Sequence, residues 1–221
     1  MKSAHRLAIV LVLIVGVAAG CPIYTAKHPV ELNPAQAIPV LPQTAQAPKD
    51  AIPVAITRPR DLRPDQEVHQ LQVLPIFPLP VSITHSFVAE GDAGVWVANA
   101  LSAGLENAGF DIQHVEKATE AKTPVVVSVD VTSLKAENAV YWTSVGCKGL
   151  ISAQVQVTKS GQSVLDRTYS GEHEENGPCH QNASEALKQA LEKLLETAVP
   201  EIAASLSKIT QPSAVQAASP R

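Results

Sequence analysis

Val125, Val127, Val129 and Val131 alternate with Val126, Ser128, Asp130 and Thr132. A period of two predicts a strand with one covered face, while its other face turns polar along its length. Ile151, Ala153, Val155 and Val157 repeat the pattern against Ser152, Gln154, Gln156 and Thr158. Gly161 offers a turn after which Leu165 and Tyr169 return to the same side, which predicts an antiparallel hairpin. Ala51 to Thr57 and Val68 to Phe77 are also β-prone, although Pro53 and Pro75 confine them to sheet edges or strand ends.

Two stretches follow the helical period. Asp92 is an N-cap for a segment that places Val97, Ala98, Leu101, Leu105 and Ala108 on one face and ends at Gly109, a C′ glycine followed by Phe110. The second begins near Asn182, where Asn182 and Glu185 have capping-box spacing. Its stripe is Leu187, Ala190, Leu191, Leu194, Leu195 and Ala198, continuing through Ile202, Leu206 and Ile209, with a kink or division expected near Glu196 from Pro200. One-faced strands and one-faced helices predict an α+β fold: a two-layer sandwich of a mainly antiparallel sheet with two helices packed on one face. The other sheet face is then left wet, open to a partner.

The chain ends differ from this domain. Lys2 and Arg6 precede 14 uncharged residues, Leu7 to Gly20, a run shorter than the roughly 20 that a spanning helix needs. Residues 1–20 therefore read as a signal peptide. Its end, Val17-Ala18-Ala19-Gly20-Cys21, resembles the lipobox of bacterial lipoproteins, with Ala18 where leucine is most usual. That resemblance implies lipidation of Cys21 and a membrane anchor; simple cleavage and release of a soluble periplasmic protein is the other reading. In such lipoproteins an Asp after the cysteine holds the protein in the inner membrane, and Pro22 in that place points to the outer membrane, facing the periplasm. Residues 21–51 carry six prolines and residues 22–53 seven, with no apolar period, which reads as a semi-rigid tether reaching on the order of 90 Å if extended. The folded unit is expected at 52–209, and 210–221 reads as a disordered tail.

The order of elements behind a lipobox is similar to that of the YajG-like family of bacterial envelope lipoproteins. The residues that carry the likeness are Thr57-Arg58-Pro59-Arg60-Asp61-Leu62-Arg63-Pro64, the Leu101-to-Phe110 run, the valine strand, the hairpin around Gly161 and the Ala183-to-Glu196 helix. The resemblance implies an envelope-facing, non-enzymatic domain.

Composition narrows the chemistry. Of 221 residues 45% are hydrophobic but only 4% aromatic, and the net charge is −4, so neither a stacking platform nor the basic stripe that nucleic-acid binding needs is present. No nucleophile elbow, phosphate loop or dinucleotide turn occurs, and the expectation is no enzyme, no cofactor and no metal. With Cys21 lipidated, Cys147 and Cys179 remain as an even pair in an oxidising compartment, which suggests a disulfide. A zinc site using Glu172, His173, Cys179, His180 and Cys147 is the poorer alternative, because the ligand spacing is irregular. Trp96 and Trp142 either cover the aliphatic core or form a partner hot spot. Arg58, Arg60 and Arg63 are candidates for an anionic glycan or headgroup, with Asp61 and Asp65 placed to neutralise them. The function expected is an anchored lipoprotein that binds an envelope protein or cell-wall component; the alternative is a structural spacer or assembly factor acting through its tether.

Overall fold

The computed structural model describes residues 24–32, 51–63, 67–76, 79–140 and 144–210. The signal peptide, Cys21, the rest of the tether, Asp65, Trp142 and the tail lie outside the described residues. In chain order the elements are β1 (Tyr24–Glu31), β2 (Ile52–Thr57), β3 (Arg60–Asp61), β4 (Glu67–Ile76), β5 (Leu79–Glu90), α1 (Ala93–Asn107), β6 (Phe110–Val115), a 3-10 turn at Ala118–Glu120, β7 (Val125–Val140), β8 (Val145–Lys159), β9 (Gln162–Asn176) and α2 (Cys179–Thr210).

The period-two valines do what alternation demands: Val125, Val127, Val129 and Val131, with Ile151, Ala153, Val155 and Val157 on the next strand, are buried on one face. β7, β8 and β9 form the antiparallel half of a six-stranded sheet of order β6-β2-β7-β8-β9, with β3 also paired to β7. The other half is parallel, since β2 pairs in parallel with β6 and with β7, and β3 in parallel with β7. Both helices cover the buried face, giving the two-layer α+β sandwich. Pro53 stands at a strand end, as the second residue of β2, and not at a sheet edge. β2 lies inside the sheet, and Pro53 is tolerated because β7 engages β2 only from Ala55 onward.

Within the segment expected as a tether, Tyr24–Glu31 is a strand. It pairs in parallel with β5, and β5 pairs antiparallel with β4, to make a separate sheet of order β1-β5-β4. Leu32 follows directly and is buried in the main core, which ties this small sheet to the domain.

Asp92 caps α1 by accepting a hydrogen bond from the Val95 backbone N–H at 3.1 Å, and Gly109 with φ +93° turns the chain into β6. α2 starts four residues earlier than the Asn182 cap predicts. Its first N–H, on Cys179, donates to Oδ1 of Asn138 on β7 at 2.8 Å, while the Asn182 amide instead donates to the Asn176 and Pro178 carbonyls. A side chain from a distant strand thus supplies the cap. At the far end Lys159 Nζ donates to the Ile209 carbonyl. Pro200 does not divide the helix, which runs as one element of 32 residues with Pro200 exposed.

The seat of α2 is glycine. A Cβ on Gly171 would lie 1.8 Å from the Ala190 carbonyl oxygen, and one on Gly149 would lie 2.3 Å from that of Ala186. Helix backbone therefore rests on strand backbone, with Ala186 and Ala190 completing the seam. Beside it Tyr169 is 3% exposed, and its hydroxyl has no hydrogen-bond partner among the described residues. Burial first, then the neighbouring Glu201 carboxylate, pushes its pKa from 10.0 up to about 12. This group therefore leaves stability independent of pH below the unfolded value of 10.0 and lowers it as pH rises from there through about 12, where the fold resists the ionisation that the unfolded chain allows. Tyr169→Phe is expected to flatten the fall in stability over that interval. At neutral pH it should leave stability unchanged or raise it by about 1 kcal/mol, since an unpaired buried hydroxyl is removed. Urea titrations across the alkaline range check both effects.

Candidate interaction surface

Alternation leaves the second face of β7–β8–β9 polar. Ser128, Gln154, Gln156 and Thr158 are partly exposed there, and Asp166, Thr168 and Ser170 on β9 are exposed. Side chains knit across it: Ser152 and Ser170 hydroxyls are 2.8 Å apart, and Gln154 Nε2 donates to Asp166 Oδ1 at 2.7 Å. The surface is polar, made of short hydroxyl and amide side chains with the Asp166 carboxylate among them, a format for contacts with another macromolecule.

Two open clefts border this face where the parallel strands end. One of ≈ 430 Å³ lies on the helix side, between Val95 and Asn99 of α1 and His114 at the end of β6; the other, of ≈ 360 Å³, opens over Ser128, Gln156 and Thr158. Both include Arg58 and Glu116, whose ion pair at 3.3 Å stands on the rim. Its side chains are 67% and 66% exposed, so it contributes little stability and leaves both groups accessible.

The three arginines take different roles. Arg60 donates from Nε and Nη2 to Asp130 at 2.8 and 2.5 Å, a two-point pair that covers a carboxylate left nearly buried on the wet face. Arg63 is not surface. Its side chain is 5% exposed and grips Asp61 at 2.8 and 2.6 Å, and this hydrogen bonding holds the Asp61 carboxyl below its usual range. Arg63 therefore fastens the loop and is unavailable to a ligand, which corrects its place among the candidates. Arg58 alone of the three is exposed with only an exposed partner. Asp130 is the partner that the sequence reading missed; its position among alternating valines was the available signal, because a charge there must find a counter-charge.

Trp96 also leaves the candidate surface. It is 3% exposed, because α1 packs against β6, β7 and α2 at once and so buries more of its circumference than a single stripe. Cys147 and Cys179 are joined, with S–S 2.09 Å and Cα–Cα 4.6 Å. Cys147 stands in register with both Asn138 and Glu175, so the bridge and the Asn138 cap fasten the start of α2 to the same point of the sheet. His173 contacts Glu175 at 2.9 Å. Among the described residues no three His, Cys, Asp or Glu side chains converge as a metal site, and no helix is long and apolar enough to cross a membrane.

A crystal structure of a Xanthomonas campestris protein of the DUF330 family is similar, with TM-score 0.55 and 15% identity over 86% of this chain and 99% of that one, and it shares the fold. A lipoprotein from Neisseria meningitidis has TM-score 0.40 and 12% identity over 69% of this chain and 99% of its own. A minor lipoprotein from Acinetobacter baumannii has TM-score 0.36 and 12% identity over 49% and 83%. No curated protein matches the sequence. Residues 82–206, which run from β5 into the last turns of α2, match the family described as uncharacterized lipoprotein. The likeness to a small lipoprotein family, read in part from the valine strand and the final helix that this match spans, is met, and the chain belongs to this family of lipoproteins.

Proposed function

We propose that the chain is a cell-envelope lipoprotein, held to the outer membrane by an acylated Cys21, whose non-enzymatic domain faces the periplasm and binds a protein partner through the polar face of β8 and β9. The observation that carries the reading is the division of the sheet: one face is sealed by two helices, while Gln154, Thr168 and Ser170 on the other stay partly or fully exposed. Arg58 and Glu116 adjoin this face and offer a charged rim. The experiment is in-cell photocrosslinking from residues 154, 168 and 170, with residue 196 on the outer side of α2 as comparison, alongside fatty-acid labelling of wild type and Cys21→Ser. The expected result is one discrete adduct from the sheet positions, none from 196, and label lost in Cys21→Ser. Equal adducts from both faces, or none, would overturn the binding reading; label retained in Cys21→Ser would overturn the anchor.

A further inference from the structure

β1 begins at Tyr24, three residues after Cys21. Three residues span at most about 11 Å, so the atom proposed to carry the lipid is tied closely to the β1-β5-β4 sheet. β1 and β5 are parallel, with Tyr24 in register with Ile83. The chain from Cys21 therefore enters this sheet at the end where β5 begins, and Leu79 is only four residues, about 13 Å of strand, from Ile83.

That end of the hairpin has an unusual composition. Its last three rungs are Leu74 opposite Val81, Pro75 opposite Pro80 and Ile76 opposite Leu79. All six residues of these three consecutive rungs are apolar. The one-sided alternation of β7 and β8 is absent here. Nearer the domain the rungs turn polar, with Gln70 opposite His85 and His69 opposite Ser86, and no charged residue or histidine lies between His69 and His85. β1 pairs with β5 only from Ile83 to Glu90, so the apolar rungs extend past the end of β1. Pro75 and Pro80 carry no N–H, which leaves the middle rung without an amide donor to satisfy in an apolar medium.

We propose that this end of the β4–β5 hairpin is a second, shallow membrane contact that inserts its three terminal rungs into the headgroup and upper acyl region beside Cys21. Three rungs cover about 10 Å, the depth at which interfacial segments lie. The location beside the lipid rests on the anchored reading of Cys21; the apolar rungs do not. The contact adds a second attachment to that of the acyl chains. It also fixes the domain's approach, because β5 runs directly into α1 through Glu90 and Asp92.

The test uses the mature chain with Cys21→Ser, exported behind a signal peptide that is cleaved without lipidation, and vesicles of phosphatidylethanolamine with phosphatidylglycerol. The unlipidated chain is expected to float with the vesicles, binding should fall about tenfold or more in Ile76→Asp with Leu79→Asp, and Val164→Asp, at an exposed apolar residue of β9, should bind as the parent does. Leu79→Trp, which adds no charge that could unfold the hairpin, should show indole emission quenched by lipids brominated in their acyl chains. No flotation, equal binding by the doubly charged variant, equal loss in Val164→Asp or no quenching overturns the proposal. Intact mass of wild type extracted from membranes separates the two readings. Acyl mass on Cys21 without vesicle binding removes the hairpin contact alone, and vesicle binding without acyl mass keeps the contact and removes the anchor.

Discussion

Gly171→Ala is expected to destabilise the domain by about 3 kcal/mol, at the upper end of ordinary overpacking. The added methyl would meet the Ala190 carbonyl oxygen at 1.8 Å and the Leu194 N–H nitrogen at 2.7 Å, both backbone atoms of α2. No rotamer change relieves that contact, so the helix must lift from β9, and Leu191, Leu194 and Leu195, each at most 1% exposed, must loosen with it. Gly149→Ala should act in the same direction through Ala186. Because the two glycines underlie one helix, the double variant should cost less than the sum: once the helix has lifted, the second methyl finds room. Urea unfolding monitored by far-ultraviolet circular dichroism checks both, and an unchanged midpoint for Gly171→Ala would mean that α2 does not rest on β9 as described.

Removing the Cys147–Cys179 bridge is expected to cost about 2–4 kcal/mol, the usual range for a native disulfide closing a loop of this size. The two cysteines are 32 positions apart and exposed by 0% and 1%, so the loss would come from a freer unfolded chain and from an untied start of α2. In Cys147→Ser with Cys179→Ser the urea midpoint should fall, and reductant should then have no further effect. In wild type, reductant should produce the same fall only after the protein has been opened, since neither sulfur is accessible in the folded state. An equal midpoint in the presence and absence of the bridge would show that Asn138 alone holds the helix start.

What the sequence disclosed followed from how local each signal is. The valine alternation of β7, the Asp92 and Gly109 punctuation of α1 and the leucine stripe of α2 need only neighbouring residues to be read, and all three recur in the fold. β1 carries no such signal. Its sequence includes Pro29 among polar residues, and the partner that makes it a strand lies 59 positions away on β5. The Asn182 cap failed for a related reason, since the true acceptor, Asn138, arrives from another strand. At the candidate surface the arginine loop was visible as a charge cluster. Which arginine is buried was not, because that depends on Asp61 closing over Arg63 while Asp130, a distant residue of β7, takes Arg60. Trp96 was misplaced among surface candidates because a single-stripe helix was assumed where three elements surround it.

The position of β2 inside the six-stranded sheet sets an order of assembly. Ile52–Thr57 is synthesised early, yet its two neighbours are Phe110–Val115 and Val126–Val127, and the glycine seam that closes the sheet waits for Ala186 and Ala190. Such long-range pairing raises contact order and slows folding, because loop closure must precede the contacts that reward it. A chain in which β2 is made but Ala186 and Ala190 are not therefore presents strands without partners and an apolar sheet face that α1 alone covers. Its most vulnerable interval, to proteases and to strand-to-strand association, falls before α2 is complete, and a product interrupted before Leu187 would have only α1 to cover the sheet.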